Sequence, residues 1–238
     1  MEIRKLFLTG NDCYKANQLL EPAGIMVHDT GADNPNLRRY VGPDDGVLGE
    51  NPYGNHWNRP GVGACVHAFI GKDKNGQVRV YQTLPWDVRS WHCGRSGNNT
   101  HLSFEICQDS MKDETYFRQT VAKAVELCVY LCRKFGLDPL APGVLISHAE
   151  GYKLGIASGH NDTDNWWAAF GYTMDDFRRE VALAMEEEQI PAWAKPTVDK
   201  LLEKGVLKGT GKGLGLTEDL LRVLVLLDRL GNLSVKSE

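Results

Sequence analysis

Two short apolar segments of this chain each run directly into a histidine. Ile25-Met26-Val27 precedes His28, and Val144-Leu145-Ile146-Ser147 precedes His148. Apolar runs of this length are typical of buried strands in a sheet that is covered on both faces. The pattern therefore predicts a sheet in which two strands each deliver a histidine at their end.

The segment behind His148 adds further groups of the kind that bind metals. His160, Asp162 and Asp164 follow among glycines and small residues, ahead of the pair Trp166-Trp167. A hydrolytic zinc site takes three protein ligands, commonly His and Asp, and keeps one position open for water. Bound zinc lowers the pKa of that water toward neutrality, so the water can attack a carbonyl group. We therefore expect a zinc site assembled from two strand ends and a loop.

The overall composition is that of an ordinary globular protein. The chain has 238 residues, of which 42% are hydrophobic and 24% charged, and its net charge is −4. Such a chain carries no basic field that would attract nucleic acid. No run approaches the roughly 18 apolar residues of a transmembrane helix, and the N-terminus lacks the apolar core and cleavage site of a signal peptide. We therefore expect synthesis in the cytoplasm without a classical secretion signal.

The periodicity of the remaining segments predicts a central sheet flanked by helices. The expected elements are strands at Val62–Ile70, Val78–Leu84 and Leu102–Cys107 and helices at Thr115–Phe135 and Met174–Met185. Asn75-Gly76 is expected to join the first two of these strands as a hairpin, and Gly136 is placed to end the long helix. The segment Gly42–Gly63 is expected to be a long loop, and loops of that length often border binding sites.

The composition changes near Glu186-Glu187-Glu188, which indicates a domain boundary. Residues 1–187 are expected to form the α/β domain and residues 190–238 a small helical hairpin, with a glycine-rich turn at Gly209–Gly215. Thr217 is a plausible N-cap for the last helix, Asp219–Leu230. About fifty residues are marginal for independent stability, so this unit is expected to dock on the first domain or on a partner.

The cysteines are expected to be reduced, because the chain shows no secretion signal and no CxxC pair. The six are Cys13, Cys65, Cys93, Cys107, Cys128 and Cys132. Cys128 and Cys132 lie four apart on the long helix, a spacing that a metal can use. A role as small core hydrophobes is favoured for this pair.

Four segments together carry a resemblance to a known enzyme family. They are IMVHDTG (25–31), SWHCG (90–94), LSFEIC (102–107) and SHAEGYKLGIASGHNDTDNWW (147–167). In this order they resemble the type 2, zinc-dependent N-acetylmuramoyl-L-alanine amidases, a family that includes the peptidoglycan recognition proteins. The last segment is most similar to the amidases of Gram-positive bacteria and their phages. The resemblance covers about residues 25–185 and implies a mixed sheet with helices on both sides.

The resemblance implies a ligand set for zinc. His28 and His148 match the two histidine ligands at strand ends. The third ligand of bacterial members, an aspartate or a cysteine, follows the second histidine closely. Here the spacer is longer, and Asp162 is favoured because His160 fits the basic position two residues earlier. Asp164, or His160 itself with Asp162 behind it, are the alternatives.

The resemblance also implies catalytic and substrate-binding roles. Glu105 matches the carboxylate that acts as general base, and a cationic His160 would stabilise the oxyanion. His92, directly after Trp91, matches a residue that lines the substrate cleft. Trp91 and Trp166, like Trp57 and Trp167, are expected to be exposed aromatics that stack on sugar or peptide faces, although the Trp166-Trp167 pair also fits a core position.

The C-terminal unit resembles a single S-layer-homology-type repeat. The residues that carry this likeness are Trp193-Ala194, Leu201, Gly205–Gly209, Leu216-Thr217 and Arg222–Leu230. Such repeats bind cell-wall polymers, so a secondary wall polymer is the implied partner. Dimerisation or simple packing is the alternative role.

These inferences favour a peptidoglycan amidase, most simply a phage or prophage endolysin that is made in the host cytoplasm and acts on the cell wall after release. A non-catalytic peptidoglycan-binding module is the first alternative, but the chain keeps His28, His148, an aspartate and Glu105. A cytoplasmic amidase that recycles muropeptides is the second alternative. The long loop Gly42–Gly63 and the wall-binding-like tail argue against it.

Overall fold

The computed structural model describes residues 1–208 and 213–231, and within them six strands form one sheet in the order β1-β4-β3-β5-β2-β6. The strands are β1 (Ile3–Lys5), β2 (Gly24–Asp29), β3 (Ala68–Lys72), β4 (Val78–Gln82), β5 (His101–Ile106) and β6 (Leu145–Ser147). The helices are α1 (Asp12–Ala16), α2 (Glu114–Phe135), α3 (His148–Lys153), α4 (Asp164–Ala168), α5 (Met174–Glu187), α6 (Lys195–Glu203) and α7 (Glu218–Arg229).

The sheet is mixed. Strand β2 pairs in parallel with β5 and β6, β3 pairs in parallel with β5, and the hairpin partners β3 and β4 are antiparallel. All six residues of β2 are buried, as expected for a parallel strand covered on both faces. The predicted class, a central mixed sheet flanked by helices, is confirmed.

Helix α2 follows its sequence signals closely. The side chain of Asp113 accepts a hydrogen bond from the Tyr116 amide at the N-terminus, and Gly136 ends the helix with φ of 66°, in the left-handed region that favours glycine. The buried face of α2 packs on β3 and β4. The predicted helix and its terminating glycine are therefore confirmed.

The predicted strand Val62–Ile70 is wrong over its first six residues, because β3 begins only at Ala68. The residues before it bond elsewhere: the amide of Cys65 donates to the carbonyl of Trp91, and the side-chain amide of Asn11 donates to the carbonyl of Ala64. Apolar composition alone therefore overstated the strand. The hairpin at Asn75-Gly76 forms as predicted.

The long segment between β2 and β3 is anchored by aromatic rings. Tyr40 stacks on Phe69 with ring centroids 5.5 Å apart, and Trp57 meets the same ring edge-on at 5.1 Å. Leu37, Val41 and Leu48 complete the packing of this segment on the sheet. The predicted loop Gly42–Gly63 contains no helix or strand, and its residues Leu48 and Trp57 pack on the sheet.

A disulfide joins Cys13 in α1 to Cys65, with 6.5 Å between the Cα atoms, a separation that suits such a bond. The expectation that every cysteine is reduced is wrong for this pair, because folding brings α1 against a loop 52 residues away. The remaining cysteines are free and buried. Cys128 and Cys132 lie on the buried face of α2, as the favoured interpretation predicted.

Buried His67 has a structural role, which agrees with its position in an apolar segment. Its Nε2 donates to the carbonyl of Val88 at 2.9 Å, and its Nδ1 accepts from the amide of Ser103 at 3.0 Å. Both ring nitrogens are thereby satisfied, which a neutral buried imidazole requires.

The chain divides into two compact units, residues 1–178 and 179–238, whereas the sequence suggested a boundary after residue 187. In the second unit, Ala194 and Val198 pack with Leu221 and Val225 of α7. Thr217 caps α7 by accepting a hydrogen bond from Leu220, as predicted. Residues 209–212 of the predicted glycine-rich turn lie outside the described residues. The roles assigned to the two units remain predictions.

Among the described residues, no helix has the length and apolar character needed to cross a bilayer.

Candidate metal centre

The centre lies at the carboxyl ends of the two parallel neighbours β2 and β6. Because Val27 pairs with Ser147, the residues that follow, His28 and His148, emerge side by side at one edge of the sheet. Ser147 caps α3 and forms a capping box with Glu150, so His148 is fixed at the first position of that helix. Two strand ends thus deliver the two histidines, as the sequence predicted.

Asp162 completes a compact group with these histidines. Its Oδ2 lies 2.9 Å from Nδ1 of His28 and 3.3 Å from Nδ1 of His148, and the two Nδ1 atoms are 3.1 Å apart. Tetrahedral ligands with bonds near 2.0–2.1 Å would be separated by about 3.3–3.4 Å, so the observed spacings are close to those around a zinc-sized ion. These three residues can therefore hold a metal ion.

The protonation of this group also suits a metal. Burial would raise the pKa of the Asp162 carboxyl, but hydrogen bonds from His148 and His28 outweigh it and hold that pKa below its ordinary value. Burial lowers the pKa of His28, against the opposing effect of Asp162. An ionised carboxylate and an unprotonated imidazole nitrogen are the forms in which these side chains bind metals.

The alternatives for the third ligand lie elsewhere in the site. His160 is exposed, and its ring stacks on that of His148 with centroids 4.9 Å apart. Asp164 begins α4, and no described residue forms a hydrogen bond with its buried Oδ1. Neither joins the group of three ligand atoms that lie within 4.8 Å of one another. The geometry therefore favours Asp162.

Glu105 lies beside this group on the adjacent strand, opposite His28 in the register of β5 and β2. Its Oε2 is buried, with no hydrogen-bond partner in the part of the chain that the structure describes. Burial, followed by the negative charges of Asp162 and Asp29, raises the pKa of Glu105 well above its ordinary value. A buried carboxyl with a raised pKa, next to a metal centre, is suited to accept and return a proton.

These groups line one cavity of about 650 Å³. Its wall includes the metal-binding group, Glu105, His160, Trp91, His92 and Trp166, together with Tyr40 and Trp57 from the segment between β2 and β3. The structure thus brings all the predicted site residues to one cavity. Two residues that the sequence did not indicate, Tyr40 and Ser158, also line this cavity. The Oγ atom of Ser158 lies 3.4 Å from Nε2 of His148. No motif in the sequence marks either residue.

The predicted aromatic surface is only partly present. Trp91 is 48% exposed, with the guanidinium of Arg89 5.1 Å from its ring centre. Trp166 and Trp167 are buried, so the expectation that they are exposed is wrong. Trp166 packs edge-on against Phe117 of α2, because the short helix α4 turns its apolar face to the core. Only part of Trp166 is left to line the cavity.

A charged pair supports the centre from behind. Arg178 donates to both carboxylate oxygens of Glu150 at 2.8 and 2.9 Å and to the carbonyl of Leu145 at 2.9 Å. The bidentate ion pair with Glu150 and the hydrogen bond to Leu145 together connect α3 to β6 through Arg178. This connection therefore holds in place the helix that begins at His148, and no local sequence pattern indicated it.

Residues 18–165, more than half of the chain, match the family model described as N-acetylmuramoyl-L-alanine amidase. The chain belongs to this family. Membership confirms the resemblance drawn from the four sequence segments and the expectation that the chain is an amidase-type enzyme.

Individual relatives agree with this placement. A bifunctional autolysin of Staphylococcus epidermidis is 34% identical over 90 residues, or 38% of this chain, and the match spans 5% of the autolysin. The Staphylococcus aureus hydrolase AmiA, solved with its ligand, has a TM-score of 0.56 at 22% identity and covers 76% of this chain and 82% of its own. PlyL has a TM-score of 0.52 at 20% identity and covers 76% and 97%. These structures share the fold of this chain.

Proposed function

We propose that this chain is a zinc-dependent amidase that hydrolyses the bond between N-acetylmuramic acid and L-alanine in peptidoglycan. The observation that carries the proposal is the cavity in which His28, His148 and Asp162 adjoin the buried carboxyl of Glu105. Two nitrogens and one carboxylate oxygen form a donor set that suits zinc. When bound, zinc would polarise the scissile carbonyl and lower the pKa of a water.

The side chains of the cavity carry out proton transfer, stabilise the developing negative charge and bind the substrate. Glu105 accepts a proton from the water while the oxygen of that water bonds to the carbonyl carbon. It then returns that proton to the nitrogen of L-alanine as the carbon–nitrogen bond breaks. His160, at the edge of the cavity, donates a hydrogen bond to the carbonyl oxygen as negative charge develops there. Trp91 and His92, on the wall of the cavity, bind and orient the substrate.

The complete set of groups supports an enzyme rather than a binding module that only recognises peptidoglycan. A binding module has no use for a buried, unpartnered carboxylate beside a metal centre, because desolvating it is costly. Glu105 is such a group.

We further propose that the enzyme acts on the cell wall, as an endolysin does, and that the second unit supplies an attachment. The S-layer-homology-like unit would bind a secondary wall polymer. Its helix α7 also exposes Leu220, Val223 and Leu226, and Leu230, directly after the helix, is exposed as well. An exposed apolar stripe of this kind is typical of an interaction surface, and homodimerisation is the alternative use for it.

The deciding experiment is digestion of purified Gram-positive peptidoglycan, with and without a chelator, followed by mass analysis of the soluble products. The expected result is chelator-sensitive release of peptides that carry a free amino group on L-alanine, restored by added zinc. Binding to the wall without release of peptides would refute the amidase. Release that the chelator leaves unchanged would refute the metal dependence.

A further inference from the structure

The ring of His92 is in direct contact with the ligand His28. Nε2 of His28 lies 2.9 Å from Nδ1 of His92, and the two rings meet edge-on with centroids 5.0 Å apart. The other nitrogen of His28, Nδ1, faces Asp162 and His148. His28 therefore contacts the other two metal-binding residues through Nδ1 and contacts His92 through Nε2.

The position of His92 is fixed by its backbone. The side-chain oxygen of Asn98 accepts hydrogen bonds from the amides of both His92 and Cys93 at 2.9 Å. Asn98 is itself fully buried. The contact with His28 is thus set by a rigid turn rather than by a loosely placed side chain.

This contact determines where the protons lie. If Nδ1 of His28 binds a metal through its lone pair, the neutral ring carries its proton on Nε2. That N–H then donates to Nδ1 of His92, which must be unprotonated. A neutral His92 must in turn carry its own proton on Nε2. Ligands of this kind almost always donate their second N–H to a fixed acceptor, which orients the ring.

Among the residues that the structure describes, none accepts the proton on Nε2 of His92. That nitrogen is buried, although His92 lines the cavity. Buried N–H groups are seldom left unpaired in folded proteins. An acceptor supplied by a bound molecule would satisfy this donor.

We propose that His92 has two functions: it positions the metal ligand His28 through Nδ1, and it donates a hydrogen bond from Nε2 to a carbonyl oxygen of the bound substrate. This inference rests on the proposed zinc amidase. The two functions are linked. An occupied metal site fixes the proton of His28 on Nε2, and this leaves the proton of His92 on its own Nε2, as a donor toward the cavity.

Two substitutions separate the two functions. His92→Asn places an amide oxygen near the position of Nδ1, so the acceptor for His28 is kept and the donor at Nε2 is lost. His92→Gln places its amide near the position of Nε2, so a donor is kept and the acceptor is lost. The zinc dissociation constant is measured on the full chain by competition with a chromophoric chelator. The KM for a soluble muropeptide is then measured at saturating zinc.

For His92→Gln we expect zinc affinity to fall roughly tenfold to a hundredfold, the usual effect of losing a partner of a ligand. For His92→Asn we expect zinc affinity close to that of the unaltered chain and a higher KM, with a smaller change in kcat. Thermal unfolding of the metal-free proteins checks that both variants fold.

Other outcomes overturn separate parts of the inference. Equal loss of zinc affinity in both variants would overturn the positioning role, and an unchanged KM in His92→Asn would overturn the donor role. If the unaltered chain bound no zinc or released no peptide, the proposed function itself would fail. If it did both while the variants behaved like it, only the role of His92 would fail.

Discussion

The Cys13–Cys65 disulfide is expected to contribute a large part of the stability of the first unit. It closes a loop across a sequence separation of 52 residues. In the chain-entropy account, a cross-link over a loop of this size stabilises the folded state by roughly 4 kcal/mol, because it restricts the unfolded chain. Each kcal/mol shifts Tm by about 2–4 °C in a domain of 150–250 residues. Cys13→Ser is therefore expected to lower Tm by about 8–16 °C.

The fold itself should survive this change, because other contacts hold the same segments together. The side-chain amide of Asn11 donates to the carbonyls of Trp57 and Ala64, and the amide of Asp12 donates to the carbonyl of Val62. These bonds do not depend on the disulfide. Activity at 25 °C should consequently be retained, and the loss should be seen only on heating or in denaturant.

The assay is thermal unfolding of the unaltered chain, with and without a reductant, beside Cys13→Ser and the double variant Cys13→Ser/Cys65→Ser. Reductant should bring the unaltered chain to the Tm of the variants and should leave the double variant unchanged. A thiol assay under denaturing, non-reducing conditions should find four free thiols among the six cysteines. Six free thiols, or variants that melt within about 2 °C of the oxidised chain, well short of the expected loss, would refute the reasoning.

Three further predictions concern the site and the core. Glu105→Gln should lower kcat at least about a hundredfold with zinc still bound, whereas Glu126→Gln, on the surface-exposed side of α2, should not; equal activities would remove Glu105 as the base. His148→Ala should lose zinc, measured as metal content after dialysis, and an unchanged content would exclude His148 from the ligand set. Burial lowers the pKa of His67 from 6.5 to about 4, so the folded state binds fewer protons than the unfolded state between these values. Stability present above pH 6.5 should therefore fall by about 3 kcal/mol as the pH drops toward 4, and urea unfolding of His67→Asn should show a shallower pH dependence.

Local patterns were sufficient to predict most of the elements that position the site. The strand ahead of His28, the long helix that ends at Gly136 and the N-cap Thr217 are all present as expected. Each depends on residues close together in the chain: an apolar run, a periodic face or a capping side chain. The resemblance then indicated which side chains at the strand ends would meet.

The features that the sequence did not indicate depend on distant parts of the chain. The disulfide requires α1 to lie against a loop far along the sequence, and the burial of Trp166 requires the rings of α2 opposite it. The contact between His92 and His28 joins residues 64 apart. Composition cannot distinguish a buried indole from an exposed one, nor an early strand start from a loop, until the tertiary neighbours are known.

The way the metal centre is divided along the chain has a consequence for its folding. His28 is 120 residues from His148 and 134 from Asp162, so no local fragment contains the site. The ligands meet only after β6 has paired with β2, and such non-local pairing is a slow event because loop closure must precede it. A nascent chain that has not emerged past Asp162 therefore lacks the proposed centre, which can form only after β6 and the loop behind it have been synthesised. Uptake of metal during refolding should accordingly mark the last long-range step rather than the formation of helices.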